Sequence, residues 1–84
     1  MPLKFADHAW DDYVYWSQHD RKVLKRINQL IEDIRRHPFE GIGKPEPLKH
    51  QLSGFWSRRT DDRHRLVYAI NGDDVLIAQC RDHY

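Results

Sequence analysis

A basic stretch with one constrained carboxylate, residues 43–68, holds most of the residue types in this chain that could do chemistry. Its sequence is GKPEPLKHQLSGFWSRRTDDRHRLVY, and Glu46 stands between Pro45 and Pro47. The prolines restrict the backbone around Glu46, so its carboxylate is presented at low entropic cost. Cations interleaved with Phe55 and Trp56 suit a polyanionic substrate and proton transfer on it. The basic residues are Lys44, Lys49, Arg58, Arg59, Arg63 and Arg65.

RNA is a polyanion that carries its own nucleophile, because its 2′-hydroxyl can attack the adjacent phosphate. Cleavage then needs a base, an acid for the leaving 5′ oxygen, and cations that stabilise the phosphorane, but no metal. Glu46 is the candidate base, and His83 is the candidate acid because an imidazolium can release a proton near pH 7. Arg65 can donate two hydrogen bonds to phosphate oxygens. The candidate substrate-binding residues are Lys49, Arg59 and Tyr84.

Each of these residues also has an ordinary structural interpretation. Glu46 could be an exposed turn residue, Arg65 a solvated strand residue, and His83 a frayed residue near the chain end. The spacing Cys80-x-x-His83 could suggest zinc, but a structural zinc site needs four ligands, and the sequence has no second pair at suitable spacing. We therefore predict no metal and no cofactor.

Composition limits the classes of protein that the chain could belong to. Its 84 residues, 39% of them hydrophobic and 32% charged, predict a single soluble domain over residues 1–84. One cysteine excludes an intramolecular disulfide and favours a reducing compartment, so we predict a cytoplasmic protein. Apolar runs such as Leu66–Ile70 are far shorter than the ~20 residues of a membrane span. Net charge is only +1, but residues 21–37 hold six Lys or Arg against two acids. We interpret these residues as a solvated helix face, with a phosphate-rich partner such as ribosomal RNA as the alternative.

Two helices are predicted in the first half of the chain. Asp7 is the expected N-cap of the first helix, and Asp20 that of a second over Arg21–Arg36, which Pro38 ends. Each helix has an apolar stripe with spacings of three and four, which predicts a buried face. The first stripe is Ala9, Trp10, Tyr13, Val14 and Trp16, and the second is Val23, Leu24, Ile27, Leu30, Ile31 and Ile34.

The second half of the chain is predicted to form mainly β-strands. Four runs predict a largely antiparallel meander, with Leu3–Phe5 as a further short strand. The runs are Leu48–Leu52, Phe55–Thr60, Arg63–Ile70 and Val75–Cys80. The helical stripes need a partner, so both helices are expected on one face of the sheet. A turn of three or five residues after Ile70 would place Arg65 and His83 together on the other face, whereas a two-residue turn would break that register.

Several blocks of the sequence are specific enough to indicate a family. They are Trp10-Asp11-Asp12-Tyr13, Pro38-Phe39-Glu40-Gly41, GKPEPLKH (43–50), LSGFWSRR (52–59), HRLVY (64–68), and the ending Cys80-Arg81…His83-Tyr84. Along its whole length the chain resembles the YoeB-like toxins of the RelE/ParE superfamily. The resemblance implies an α+β fold, with two N-terminal helices on one face of a largely antiparallel sheet of four to five strands.

The same resemblance implies a function and a set of partners. It implies a toxin of a type II toxin–antitoxin system, an endoribonuclease that cleaves messenger RNA in the A site of the 70S ribosome and so inhibits translation. It also implies a homodimer and a YefM-like antitoxin whose C-terminal segment wraps the toxin. Residue by residue, it matches Glu46 to the general base, Arg65 to the phosphate-stabilising arginine and His83 to the general acid. It matches Lys49, Arg59 and Tyr84 to the supporting cations and the terminal aromatic.

The sequence departs from the family pattern at Asp82, where relatives carry an aromatic residue. Two other functions remain open on the same fold. A ParE-type toxin would bind and inhibit DNA gyrase without cleaving RNA, and it would not need the set Glu46, Arg65 and His83. A non-toxic RNA-binding module would use the basic middle alone and would keep binding after His83→Ala.

Overall fold

The structure is a computed structural model, and it describes residues 1–82. Two helices precede most of a five-stranded sheet, as the sequence predicts. The elements are β1 (Leu3–Phe5), α1 (Asp7–His19), α2 (Arg21–Arg36), β2 (Glu46–Pro47), β3 (Trp56–Arg59), β4 (Arg65–Asn71) and β5 (Asp74–Gln79). The strand order is β1-β5-β4-β3-β2, with β1 parallel to β5 and every other pair antiparallel. The predicted α+β class is confirmed.

Helix α2 forms as its sequence predicts. The Asp20 carboxylate accepts the backbone N–H groups of Lys22 and Val23, which satisfies two of the free donors at the helix start. The buried stripe consists of Ile27, Leu30, Ile31 and Ile34. Cations near the end, Arg35 and Arg36, complement the helix dipole before Pro38 ends the helix.

Helix α1 departs from prediction at two positions. Ala6, not Asp7, is its N-cap, and no side chain caps it; Asp7 is the first helical residue, where its charge still favours the positive end of the dipole. The aromatic stripe is only partly buried. Trp16 is buried, but Trp10 is 52% exposed and stacks on Tyr13 with ring centroids 5.7 Å apart.

The segment Leu48–Leu52 is not a strand, contrary to the prediction. Only Glu46 and Pro47 pair with β3, and His50–Leu52 forms a 3₁₀ turn. His50 has φ +59°, a left-handed conformation that a strand cannot contain. Leu48 is buried while His50 and Leu52 are exposed, so the alternation of apolar residues did not mark one face of a strand.

The register of β4 and β5 combines a two-residue turn with a bulge. Asn71 pairs with Asp74 around Gly72, whose φ of +61° suits a tight hairpin, so the turn is not the odd-length one that the sequence argument required for Arg65 and His83 to share a face. Val75 and Ile77 consequently face the helices. The pairing shifts by one residue beyond Tyr68↔Ile77, because Val67 pairs with Gln79. The bulge restores the parity that the sequence predicts for Cys80, which is buried.

The core lies between the two helices and the sheet. Its buried members are Ala9, Trp16, Ile27, Leu30, Ile31, Ile34, Leu66, Tyr68, Val75, Ile77 and Cys80. The opposite face of the sheet, called the helix-free face below, carries no α-helix in residues 1–82. Glu46 and Arg65, the predicted catalytic residues that the structure describes, lie on that face. Neither α1 nor α2 is long and apolar enough to cross a membrane, and residues 1–82 contain no other α-helix.

Candidate active site

The pairing of the strands places Glu46 and two arginines on the helix-free face. Cross-strand partners share a face, and the pairs Glu46↔Ser57 and Ser57↔Val67 form one row across the sheet. Arg59 and Arg65 pair with each other two residues farther along, so they share this face. Strand spacings of about 4.8 Å and a rise of about 3.4 Å per residue put the Cα atoms of Glu46 and Arg65 roughly 12 Å apart.

A groove runs beside Glu46. It has a volume of about 350 Å³ and is lined by Glu46, Pro47, Leu48, Lys49, His50 and Leu52. The Glu46 carboxylate and the Lys49 ammonium thus border one cleft, and both residues are exposed. Two other grooves, of about 380 and 360 Å³, border α2 and contain none of the predicted catalytic residues.

The turn before β4 holds the Arg65 side chain. Arg65 Nη1 donates to the carbonyls of Asp61 and His64 at 2.9 and 3.0 Å. The turn is itself fixed, because the Asp61 carboxylate accepts the backbone N–H groups of Arg63 and His64. Desolvation raises the pKa of Asp61, but these two hydrogen bonds outweigh it, and the net pKa is lowered. The guanidinium is therefore held at the start of β4 before any substrate arrives.

Arg58 belongs to the interior and not to the basic surface that the sequence suggested. It faces the helices and is fully buried. Its five N–H groups reach the Asp33 carboxylate at 2.5 Å, the Tyr68 hydroxyl at 3.2 Å and three loop carbonyls. These carbonyls belong to His37, Glu40 and Ile42. One side chain thus fastens β3 to α2 and to the loop that leads to Glu46.

The same loop requires glycine where it crosses the ion pair. Gly41 has φ +119°, and a Cβ there would lie 2.0 Å from Oδ2 of Asp33. The backbone N–H of Ile42 donates to that same oxygen at 3.0 Å. The hydrogen bond from Arg58 lowers the pKa of Asp33 below its ordinary value; burial opposes this effect, and the bond from Ile42 adds to it. Residues 41 and 42 are thereby packed directly against the charge pair that orders the loop.

The end of β5 is anchored on helix α1. The backbone N–H of Cys80 donates to the buried Asp12 carboxylate at 3.1 Å, and the Cys80 carbonyl accepts from Trp16 Nε1 at 2.8 Å. Burial, with a smaller effect of the Asp12 charge, raises the pKa of the Cys80 thiol to about 12. The thiol is therefore protonated at neutral pH and buried, which suits a core residue and not a nucleophile.

Asp82 ends the described chain beside Arg65. Its carbonyl accepts the backbone N–H of Arg65 at 3.0 Å, and its own N–H donates to His64 Nδ1 at 2.7 Å. The predicted acid His83 and the predicted stacking residue Tyr84 lie outside the described residues. His83 follows Asp82 directly in the sequence.

Sequence reasoning missed three residues that organise this site: Asp12, Arg58 and His64. A signal existed for two of them. Asp12 lies three residues after Ala9 and four before Trp16, on the buried stripe of α1, and this spacing indicates an internal contact. Arg58 has the same strand parity as the apolar Trp56. The role of His64 depends on where Asp82 lies, which no local pattern indicates.

Comparisons with known proteins agree over the whole chain. Residues 5–84 match the model of the YoeB-like toxins of bacterial type II toxin–antitoxin systems. The chain is 61% identical to Toxin YoeB of Escherichia coli K12 over 84 residues, which is 100% of both chains. A solved YoeB/ParE toxin from Agrobacterium tumefaciens superposes with a TM-score of 0.98 at 44% identity, again over 100% of both chains. The heterotetrameric YoeB-YefM toxin–antitoxin complex from Staphylococcus aureus contains a chain with a TM-score of 0.93 at 45% identity, over 100% of this chain and 98% of that one.

Proposed function

This chain belongs to the YoeB-like toxins of bacterial type II toxin–antitoxin systems, and from that premise we propose that it is a ribosome-dependent endoribonuclease. It would cleave messenger RNA in the ribosomal A site by acid–base catalysis and so stop translation. No metal or cofactor takes part in the proposed reaction. The whole chain, residues 1–84, is proposed to act as one domain in the cytoplasm.

The observation that carries the proposal is the cross-strand pair Arg59–Arg65 on the face that also holds Glu46. Like charges directly opposite each other in a sheet are destabilising. An anionic substrate that lies over the pair relieves that repulsion, and the planar guanidinium fork matches phosphate geometry. A carboxylate one strand beyond the pair then adds a proton acceptor to a phosphate-binding surface.

The proposed reaction is an in-line transfer within the RNA. Glu46 takes the proton of the 2′-hydroxyl, and the 2′ oxygen forms a bond to the adjacent phosphorus. The bond from phosphorus to the 5′ oxygen breaks, and His83 gives that oxygen a proton. Arg65, with Arg59 and Lys49, stabilises the charge of the phosphorane, and Tyr84 stacks on a base or donates its phenol proton. The products are a 2′,3′-cyclic phosphate and a 5′-hydroxyl.

Two protein partners are proposed from the solved relatives. A relative from Staphylococcus aureus forms a heterotetramer with YefM, and another structure is of a YoeB dimer from the same organism. We propose that this chain likewise forms a homodimer and binds a YefM-like antitoxin, whose C-terminal segment wraps the toxin. The 70S ribosome and its messenger RNA are the proposed targets.

Toeprinting of translating ribosomes tests the function. We expect cuts at defined A-site positions with the wild type and none with His83→Gln. The substitution removes the proposed acid and leaves the sequence of residues 1–82 unchanged. Circular dichroism of both proteins controls for folding. No cuts with either protein would refute the proposal; inhibition of DNA supercoiling by gyrase would then identify the ParE-type alternative.

A further inference from the structure

His64 connects the turn before β4 to the last described residue of the chain. Its Nδ1 accepts the backbone N–H of Asp82 at 2.7 Å. The ring lies edge-on against Trp16, with centroids 4.7 Å apart and planes at 77°, and its side chain is only 13% exposed. The ring is therefore held by packing, and one of its nitrogens is committed to the backbone of Asp82.

That hydrogen bond selects the tautomer of the ring. A nitrogen that accepts an N–H must offer a lone pair, so Nδ1 is unprotonated and the proton of the neutral ring is on Nε2. The Asp82 carboxylate lies 3.9 Å from Nδ1, which is too far for a hydrogen bond. The other charged groups around His64 are Arg63, which approaches the Asp82 carboxylate, and Asp61 and Arg65, which bond the His64 backbone.

Asp82 is held on both of its backbone polar groups. His64 holds the N–H, and the backbone N–H of Arg65 holds the carbonyl at 3.0 Å. Asp82 also has φ +65°, a conformation that costs energy for a residue with a Cβ and is kept only where its surroundings enforce it. These bonds therefore hold the backbone of Asp82 against the start of β4.

We propose that His64 is a positioning residue for the reaction: its Nδ1 holds the backbone of Asp82, which in turn bonds Arg65 at the start of β4. This rests on the proposed endoribonuclease function. His64 touches no reacting atom in this scheme. Its carbonyl also accepts a hydrogen bond from Arg65 Nη1, so one residue orients the phosphate-binding arginine and the backbone that leads to the acid.

Two substitutions separate the hydrogen bond from the packing. His64→Phe keeps a ring against Trp16 and removes the acceptor, whereas His64→Asn loses the ring and keeps an acceptor oxygen near the place of Nδ1. A misplacement of about 1 Å can lower a rate on the order of a hundredfold. We expect His64→Phe to slow single-turnover cleavage on programmed ribosomes by roughly tenfold to a hundredfold, with unchanged ribosome affinity. His64→Asn should remain closer to the wild-type rate, even if it melts at a lower temperature.

Amide hydrogen exchange of Asp82, followed by NMR, gives a readout that does not depend on cleavage. The Asp82 amide should be protected in the wild type and in His64→Asn and should exchange faster in His64→Phe. Equal protection in all three proteins, or a faster rate for His64→Phe than for His64→Asn, would overturn the positioning role while wild-type cleavage stands. A wild type that does not cleave would instead refute the proposed function, and with it any catalytic role of His64, whatever the exchange data show.

Discussion

The neighbouring arginines Arg58 and Arg59 in β3 should respond very differently to the same substitution by lysine. Arg58 is buried and donates five hydrogen bonds, whereas Arg59 is exposed beside Arg65. Lysine has three donors where arginine has five, so Arg58→Lys leaves at least two of the acceptors without a partner. Each buried polar group left unpaired costs about 1–3 kcal/mol. We therefore expect Arg58→Lys to lower the free energy of unfolding by about 3 kcal/mol, whereas Arg59→Lys should change it by less than about 0.5 kcal/mol.

Thermal unfolding followed by circular dichroism measures this contrast. For a chain of this size, 1 kcal/mol corresponds to a shift in Tm of about 4–8 °C, so Arg58→Lys should melt about 12–24 °C below the wild type. The variant should still fold, because an 84-residue protein has a total stability of roughly 4–13 kcal/mol. Equal melting temperatures for the two variants would refute the structural role of Arg58 and would indicate that it belongs to the basic surface.

Three further predictions concern single side chains. Glu46→Gln should lower the cleavage rate by about 10²- to 10⁴-fold without changing Tm, and a variant that cleaves like the wild type would remove Glu46 as the base. The pKa of Asp33 is lowered in the folded state, so its contribution to stability is present above its ordinary value of 3.8 and is lost as the pH falls through the lowered value. In urea titrations, the stability difference between the wild type and Asp33→Asn should therefore shrink below pH 4, and a constant difference would contradict the ion pair with Arg58. Cys80 should resist iodoacetamide at pH 8 in the folded protein and react in urea, because burial raises the pKa of its thiol to about 12. Mass spectrometry detects the labelling, and rapid labelling of the folded protein would show that the thiol is accessible.

Local patterns predicted both helices, because the helical signals are strong, and they also predicted most of the strands. Asp20, the stripe of α2 and Pro38 fix that helix to its observed bounds, Arg21–Arg36. The register of β5 could not be predicted, since Val75–Ala78 is apolar on both faces and the turn at Gly72 must be known first. The left-handed conformation of His50 likewise has no signal in the alternating run that suggested a strand.

The residues proposed for the candidate site could be chosen from the sequence, whereas the residues that support them could not. Glu46, Arg59 and Arg65 were chosen because RNA cleavage needs a base and cations, and strand pairing brings all three to one face. Arg58 was misread because composition does not distinguish a buried arginine from a surface one. Four of its five hydrogen-bond partners come from α2 and from residues 37–42, 16 to 25 positions away in the chain. Contacts of this range follow from the tertiary fold and not from local sequence.

The attack of the 2′-hydroxyl on its own phosphate is the central claim, and one substrate change tests it directly. Ribosomes are programmed with a messenger whose A-site codon is all-ribose, or with the same messenger carrying a single 2′-deoxy nucleotide at the cut position. We predict cleavage of the first messenger to a 2′,3′-cyclic phosphate and a 5′-hydroxyl, and no cleavage of the second at that position. Equal cleavage of both messengers would contradict the account, because it would require a nucleophile other than the RNA itself.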